Sequence, residues 1–428
     1  MEEKMFSRRG FVRLAAAGAV CPAVFGADGR PRLMKVADSP EIGKPLALWR
    51  QGELDLHFMY TGRGENMFYR FPDGTTIAND TGDFYRPKEV KNIPWHPRGD
   101  LLGGEVVARY LKRHVSSGSI DYAVVSHWHT DHVGSPDLGC RTAKDGRRIC
   151  GLALLGEKYV FKNYFDHQYP DLGKYGSADK SLSMMREFLD AKKKEGLHCE
   201  KFRPGALNQM SLLHDKDGRY RNSFSVRNVC ANGVCWTGKG EETVDYAAIH
   251  VRAAGKAVKI NQNLLSMGFV VQYGKFRYWA GGDVSGFLKD ADGRPFNYEA
   301  VVGKSVGPVT VCKTNHHAWK DAMVKEFVEE VKAAAYITNL WCPHHIQDCN
   351  MQHISSRDLY SGERLVFPTF VPELPKQKWP DAPWWRDIVP GGGHVVVRVA
   401  PGGETYKIYQ LESKDESQRV KAVFAGVS

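Results

Sequence analysis

Three histidines and an aspartate fall within the stretch "SHWHTDHVG" (residues 126–134), directly after the apolar run "IDYAVVS" (120–126). That run has the length and apolar character of a buried strand, so the histidines sit where the strand ends. In extended backbone, side chains two apart leave on one side, and His127 and His129 can therefore grip a single ion. Asp131 and His132 follow a turn and are consecutive, so they point another way and can hold a second ion nearby. Imidazole and carboxylate donors in this pattern suit zinc, with manganese or iron as alternatives. No serine or cysteine with its own oriented base stands out, which argues against a nucleophile of that kind.

The rest of the chain supplies a layered α/β body around that strand. Residues 53–83 predict three short strands separated by turns at Gly62/Gly64 and Asp73-Gly74. Val106, Val107, Tyr110, Leu111 and Val115 recur at helical spacing. A helix is expected in "SLSMMREFLDAKKK" with Ser181 as N-cap. "NLLSMGFVVQYGKFRYWAGGD" (263–283) predicts a hairpin turning at Tyr273-Gly274. A strand at 308–314 leads into "NHHAW", a helix is expected from Asp321 to Ala335, and "YITNLW" (336–341) predicts another strand. A last hairpin at 393–411 turns at Gly402-Gly403, while residues 140–260 are the least legible part.

The segment His127–His132 matches the HxHxDH signature of the metallo-β-lactamase fold superfamily, which the chain resembles. "YTGRGENMFYRFPDGTTIANDTGD" resembles the opening strands of the β-lactamase-like domain of competence-type DNA-uptake proteins and of phosphorylcholine esterases. "FVVQYGKFRYWAGGDVSG" is similar to their second-half strand ending in Gly-Asp. "VTVCKTNHHAWKDAMVKEFVEEVKAAAYITN" is similar to their segment of strand, paired histidines, helix and strand, with Ala318 in place of the usual glycine. The resemblance implies an αββα sandwich and a site for two divalent metal ions. It implies that His127 and His129 bind the first ion and Asp131 and His132 the second, with Asp283 bridging and His316 or His317 completing the second. A further histidine on the first ion is expected from His167, His198, His214 or His250, of which His167, flanked by an aspartate and a proline-containing loop, is favoured; a single-ion enzyme is the alternative. Asp131 is also the candidate to orient the attacking water. Asp55 and the Asp80–Asp83 segment could accept the second N–H of ligating imidazoles, or simply cap strands as turn residues.

At the N-terminus, paired Arg8 and Arg9 precede an apolar run from Leu14 to Phe25, which resembles a twin-arginine export signal. The run is too short to span a bilayer, where about 20 residues are needed, and no later stretch is long and apolar enough. The expected organisation is a signal over 1–27, a linker over 28–50, a hydrolase domain over 51–345 and a C-terminal extension over 346–428 packed on that domain. Export to the periplasm or beyond follows from the signal. Cys140/Cys150, Cys230/Cys235 and Cys342/Cys349 then read as local disulfides. A zinc knuckle in "WCPHHIQDC" (Cys342, His344, His345, Cys349) is the weaker alternative, since its partner Cys–His pair is missing.

A formal net charge of +10 favours anionic ligands, including phosphates. The leading expectation is an exported hydrolase acting on a small-molecule or polymeric phosphodiester or phosphoester. A nuclease acting on DNA or RNA is an alternative, with "KFRYW" (275–279) and "PWW" (383–385) as aromatics for stacking. A third is a metal-bearing binding protein without catalysis.

Overall fold

Strict alternation in the central strands builds the layers. In a computed structural model describing residues 33–84, 93–173, 179–255 and 260–428, Phe269, Val271, Tyr278 and Ala280 enter one apolar core, while Val270 and Trp279 enter another. The first core lies between two sheets, and it also receives Tyr69, Ile77 and Val124 from the facing sheet.

The strands, in chain order, are β1 (Met34–Lys35), β2 (Leu54–Phe58), β3 (Asn66–Arg70), β4 (Thr76–Thr81), β5 (Ser119–Val125), a small hairpin β6 (Arg141–Thr142) and β7 (Arg148–Ile149), then β8 (Val160–Asp166) and β9 (His198–Lys201). They continue as β10 (Phe224–Ala231), β11 (Val234–Trp236), β12 (Thr243–Asp245), β13 (Gly268–Tyr273), β14 (Phe276–Gly281) and a second small hairpin β15 (Phe287–Lys289) and β16 (Pro295–Asn297). The last are β17 (Val311–Lys313), β18 (Ala335–Thr338), β19 (Leu365–Pro368), β20 (His394–Val399), β21 (Thr405–Leu411) and β22 (Val420–Val427). The first sheet has ten strands in the order β1-β22-β21-β20-β2-β3-β4-β5-β8-β9. The second has eight, in the order β12-β11-β10-β13-β14-β17-β18-β19.

Helices cover both outer faces. On the first sheet, α1 (Gly103–Leu111), the single turn α2 (Thr130–Val133), α3 (Gly151–Gly156) and α4 (Asp179–Lys194) pack over Phe68, Ala78, Ala123 and Val125. On the second, α5 (Tyr246–Ala254), α6 (Tyr298–Val306), α7 (Lys325–Val331) and α8 (Asp348–Ser355) pack over Trp279, Cys312 and Tyr336. The order helix, sheet, sheet, helix is the αββα sandwich expected from the sequence.

Several local expectations change. The expected signal (1–27) lies outside the described residues. Within the expected linker, β1 pairs with β22 and Leu46 is buried against Val396 and Val423. The 346–428 segment belongs to the sheets themselves: β19 extends the second, and β20 hydrogen-bonds β2 near the middle of the first. Asp55 of β2 is tied there to Arg398 of β20 by two bonds of 2.8 and 2.6 Å, so it supports the sheet and not a metal ligand. Ser181 lies inside α4 instead of capping it, because the helix begins at Asp179. The 321–335 helix contracts to α7 because Met323 and Lys332 take left-handed backbone (φ 54° and 46°). Among the described residues no helix is long and apolar enough to cross a membrane.

The three expected disulfides are absent; all eight described cysteines are free thiols. Cys230 and Cys235 are register partners across the tight β10–β11 turn, which explains their close spacing. Both are buried in the apolar core, where the Cys235 thiol turns to Ser305 (3.5 Å) and the Trp236 carbonyl (3.4 Å). Cys150 faces the Met184 sulfur and Cys140 the Arg148 guanidinium.

Candidate metal centre

Parallel strands β4, β5, β14 and β17 all end at one pole of the sandwich, the place where an α/β sheet presents loops for a ligand. His127 and His129 follow β5, Asp283 follows β14, and His316 and His317 follow β17. The fold thus gathers residues separated by up to 190 positions around one carboxylate, Asp283, which is 1% exposed.

Among the described residues two groups could each hold an ion: His127, His129 and Asp283, and Glu65, His132, Asp283 and His317. Asp283 belongs to both. Its Oδ2 lies 3.7 Å from His127 Nε2, 3.2 Å from His132 Nε2 and 3.5 Å from His317 Nε2. His127 Nε2 and His129 Nδ1 converge at 3.0 Å, two nitrogens that an ion between them would separate and engage. Asp131 Oδ2 stands 3.1 Å from His317 Nε2 and 3.5 Å from His132 Nε2.

The residues fit a divalent ion on this structure's own terms. Among the described residues, His132 Nε2 and Asp283 Oδ1 are buried without a hydrogen bond and have only ion-pair neighbours, at 3.2 Å and 3.9 Å, a state that coordination would relieve. The Nδ1 atoms are committed elsewhere, which aims the Nε2 atoms inward at the carboxylates. His132 Nδ1 meets Asp80 Oδ2 at 2.9 Å, and His317 Nδ1 meets the Asn339 carbonyl at 2.9 Å. A proton on each Nδ1 makes Nε2 the ligand atom once an ion displaces the proton that Nε2 shares with the neighbouring carboxylates. Asp80 is itself fixed by the Ser126 N–H and hydroxyl, both at 2.7 Å.

The charges reinforce one another. Burial opposes ionisation of Asp131 and Asp283, yet His132 and His317 hold both carboxyls well below the usual range. Conversely, burial disfavours imidazolium, but Asp283, with hydrogen bonds to Asp131 and Glu65, carries His317 up to about 9. His132 is likewise raised, against burial, by Asp283, Asp131 and Asp80. His127 has too little compensation; burial and the neighbouring His132 push it well down. Metal binding to such a set must displace protons.

Backbone geometry is tailored to the same end. His316, His317 and Ala318 are all left-handed (φ 44°, 52° and 57°), a costly run for residues with side chains. Asn315 anchors it by accepting from Trp279 Nε1 at 2.8 Å and donating to Glu299 at 2.8 Å. Glu299 also accepts the N–H groups of Met323 and Val324. At Gly82, a Cβ would stand 1.7 Å from the Asp131 carbonyl oxygen, so only glycine lets α2 approach β4.

His127, His129, Asp131, His132, Asp283 and His317 are thus brought together. His316 reaches the rim: its Nδ1 binds Asp321 (2.6 Å) and its Nε2 is 3.8 Å from Asp283. The geometry places His317, of the two, beside His132 and Asp131. His167 follows β8 and is buried beside Trp128, with its Nδ1 on Asn232 at 2.7 Å; it is not in either group. The other candidates stand apart: His198 pairs with Glu200, and His250 accepts from the Lys289 N–H. His214 pairs with Asp121 in a cavity of about 380 Å³ lined also by Arg70 and Lys162, beside the starts of β4 and β5 and thus away from the pole that carries the histidine cluster. Asp83 faces Arg63 and no imidazole.

Sequence reasoning missed Glu65 and Lys313, and named His345 only within the alternative zinc knuckle. His345 belongs to no cysteine knuckle; it stacks on His317 with ring centroids 4.7 Å apart and is enclosed by Trp319 and Trp341. Of the aromatics considered for stacking, Phe276, Tyr278, Trp279 and Trp384 are buried.

No protein-family model matches the sequence, and no curated protein does. Among solved structures, a mutant of CmlA beta-hydroxylase is similar over 73% of this chain and 52% of its own, at 11% identity and a TM-score of 0.35. The chain therefore spans about half the length of that protein. Zn(2+)-bound PqqB from Methylobacterium extorquens is similar over 72% of this chain and 94% of its own, at 10% identity and a TM-score of 0.33. Layer order and the placement of the HxHxDH segment, not these superpositions, carry the fold assignment.

Proposed function

We propose that the chain is a metal-dependent hydrolase that cleaves a phosphodiester or phosphoester. The observation that carries this reading is the convergence of His127, His129, His132 and His317 on the doubly shared Asp283, with Asp131 beside His132 and His317. His127 and His129 would hold one divalent ion, Asp131, His132 and His317 the other, and Asp283 both. Zinc suits the donors, with manganese or iron as alternatives. When bound, such a pair supplies Lewis acidity and water of lowered pKa. Asp80 and the Asn339 carbonyl keep the imidazole tautomers fixed, and Asp131, 8% exposed, is the carboxylate placed to orient a water at the mouth of the site.

The net charge of +10 and the resemblance to phosphodiester-cleaving relatives support an anionic phosphoester substrate. Phe276, Tyr278, Trp279 and Trp384, four of the aromatics in the two stretches considered for stacking, are buried, which supports a smaller phosphoester over a nucleic-acid strand. Metal analysis of the purified protein and of Asp283→Ala, with bis(p-nitrophenyl) phosphate hydrolysis followed on both, tests the reading. About two equivalents of metal and turnover that the variant loses are expected; no metal and no turnover in the parent protein would overturn it.

A further inference from the structure

Glu65 and Lys313 are both 0% exposed and form an ion pair of 2.8 Å immediately behind the metal-ligand cluster. Burying both charges is expensive, and an apolar pair of equal volume would serve stability as well or better. Their contacts suggest what they are kept for.

Lys313 Nζ donates to the carbonyl of Gly282 at 2.9 Å and lies 3.9 Å from Asp283 Oδ1, so it holds the peptide that precedes Asp283 and faces its second oxygen. Glu65 reaches two further ligand segments. Its N–H donates to the Asp131 carbonyl at 2.8 Å, and its Oε2 lies 3.3 Å from His317 Nδ1. Oε1 faces Lys313 and Oε2 the outward nitrogen of His317, so Glu65 backs the ligand segments from a place inside the four-residue group that could hold an ion. The side-chain pair therefore joins the segments carrying Asp283 and His317, while the Asp131 segment is held by the Glu65 backbone. The ammonium also offsets the repulsion among Asp80, Asp131, Asp283 and Glu65, four carboxylates crowded into one buried space.

We propose that the Glu65 and Lys313 side chains are a positioning pair that fixes Asp283 and His317 in ligand geometry before an ion arrives, and that metal retention depends on both. This rests on the metal centre proposed above. The test measures zinc and manganese affinity by competition with a chromophoric chelator for the parent protein, Lys313→Met, Glu65→Gln and the double variant, alongside the thermal midpoint of each metal-free protein. Each single variant is expected to lose about 10- to 100-fold in affinity, the range found when groups supporting metal ligands are removed. The double variant leaves no charge buried alone, so its metal-free midpoint should return toward the parent's while its affinity stays low. That separation is what a purely structural pair would not produce, and it is readable even if the single variants fail to fold. Parent-like affinity in the double variant would overturn the inference while leaving the metal centre standing. A parent protein that binds no metal would overturn both.

Discussion

Replacing His114 with glutamine should make the protein less sensitive to acid. His114 closes α1 beneath the C-terminal strands, and its Nε2 lies 2.8 Å from Gln418 Oε1. Gln418 Nε2 already donates to the Tyr110 carbonyl at 2.9 Å, so Oε1 is the acceptor and His114 is the neutral Nε2–H tautomer. The ring of His57 stands 4.7 Å away and Tyr110 stacks on the other side at 5.1 Å, while Asp55 and Arg398 largely cancel one another nearby. Burial, then the neighbouring His57, holds the imidazole down to about 3. The unfolded chain takes up this proton near 6.5 and the folded chain does not, so the stability is complete above 6.5 and lost as pH falls. Between pH 8 and pH 5 the loss is about 1.5 units at 1.36 kcal/mol each, about 2 kcal/mol. Glutamine keeps an N–H for Gln418 and cannot titrate. Burial pushes the Glu299 carboxyl up to about 8, which works in the opposite direction over the same interval, so the comparison of variant with parent is the informative quantity. Urea unfolding of both proteins at pH 8, 6.5 and 5 should show the gap move by about 2 kcal/mol in the variant's favour. A gap that stays constant to within about 0.5 kcal/mol would refute the argument.

Three further outcomes follow from named contacts. Arg398→Met removes the partner of a carboxylate that is fully buried in β2, and should cost about 3 to 5 kcal/mol in chemical denaturation. A double change with Asp55→Leu should recover much of that loss; failure to do so would mean the pair does more than neutralise itself. Asp80→Asn weakens the acceptor that orients His132, and zinc affinity should fall about 10- to 100-fold with little change in the metal-free melting temperature. Thiol titration in denaturant without reductant should find residues 140, 150, 199, 230, 235, 312, 342 and 349 all reactive, and the thermal midpoint should not respond to reductant; unreactive pairs would restore the disulfide expectation.

The ligand cluster was legible because its residues are local: His127, His129, Asp131 and His132 lie at the end of one apolar strand, and the Gly-Asp and His-His segments repeat that logic at β14 and β17. Asp80 could be anticipated from chemistry, since a ligating imidazole needs an acceptor for its other proton. Glu65 and Lys313 could not. One sits in a glycine-rich turn and the other at the end of a short strand, and both look like solvated charges until the sheets close over them. Cysteine spacing misled for a related reason: Cys230 and Cys235 are close because a hairpin turns between them, and proximity across a hairpin does not require a bond. The helix at 321–335 was overextended because Met323, Phe327 and Val331 do share a buried face, although Met323 precedes the helix.

The place of β20 beside β2 also sets a timetable for synthesis. Leu54 of β2 has its hydrogen-bonding neighbour at Val399, so this edge stays open while most of the chain is made. Closing so long a loop is slow relative to local pairing. During that interval β2 presents an unpaired edge able to recruit another strand, the hazard that exposed edges pose. A chain cut short before residue 394 would keep the whole ligand set and still carry that open edge, so its first failure should be aggregation rather than an empty metal site.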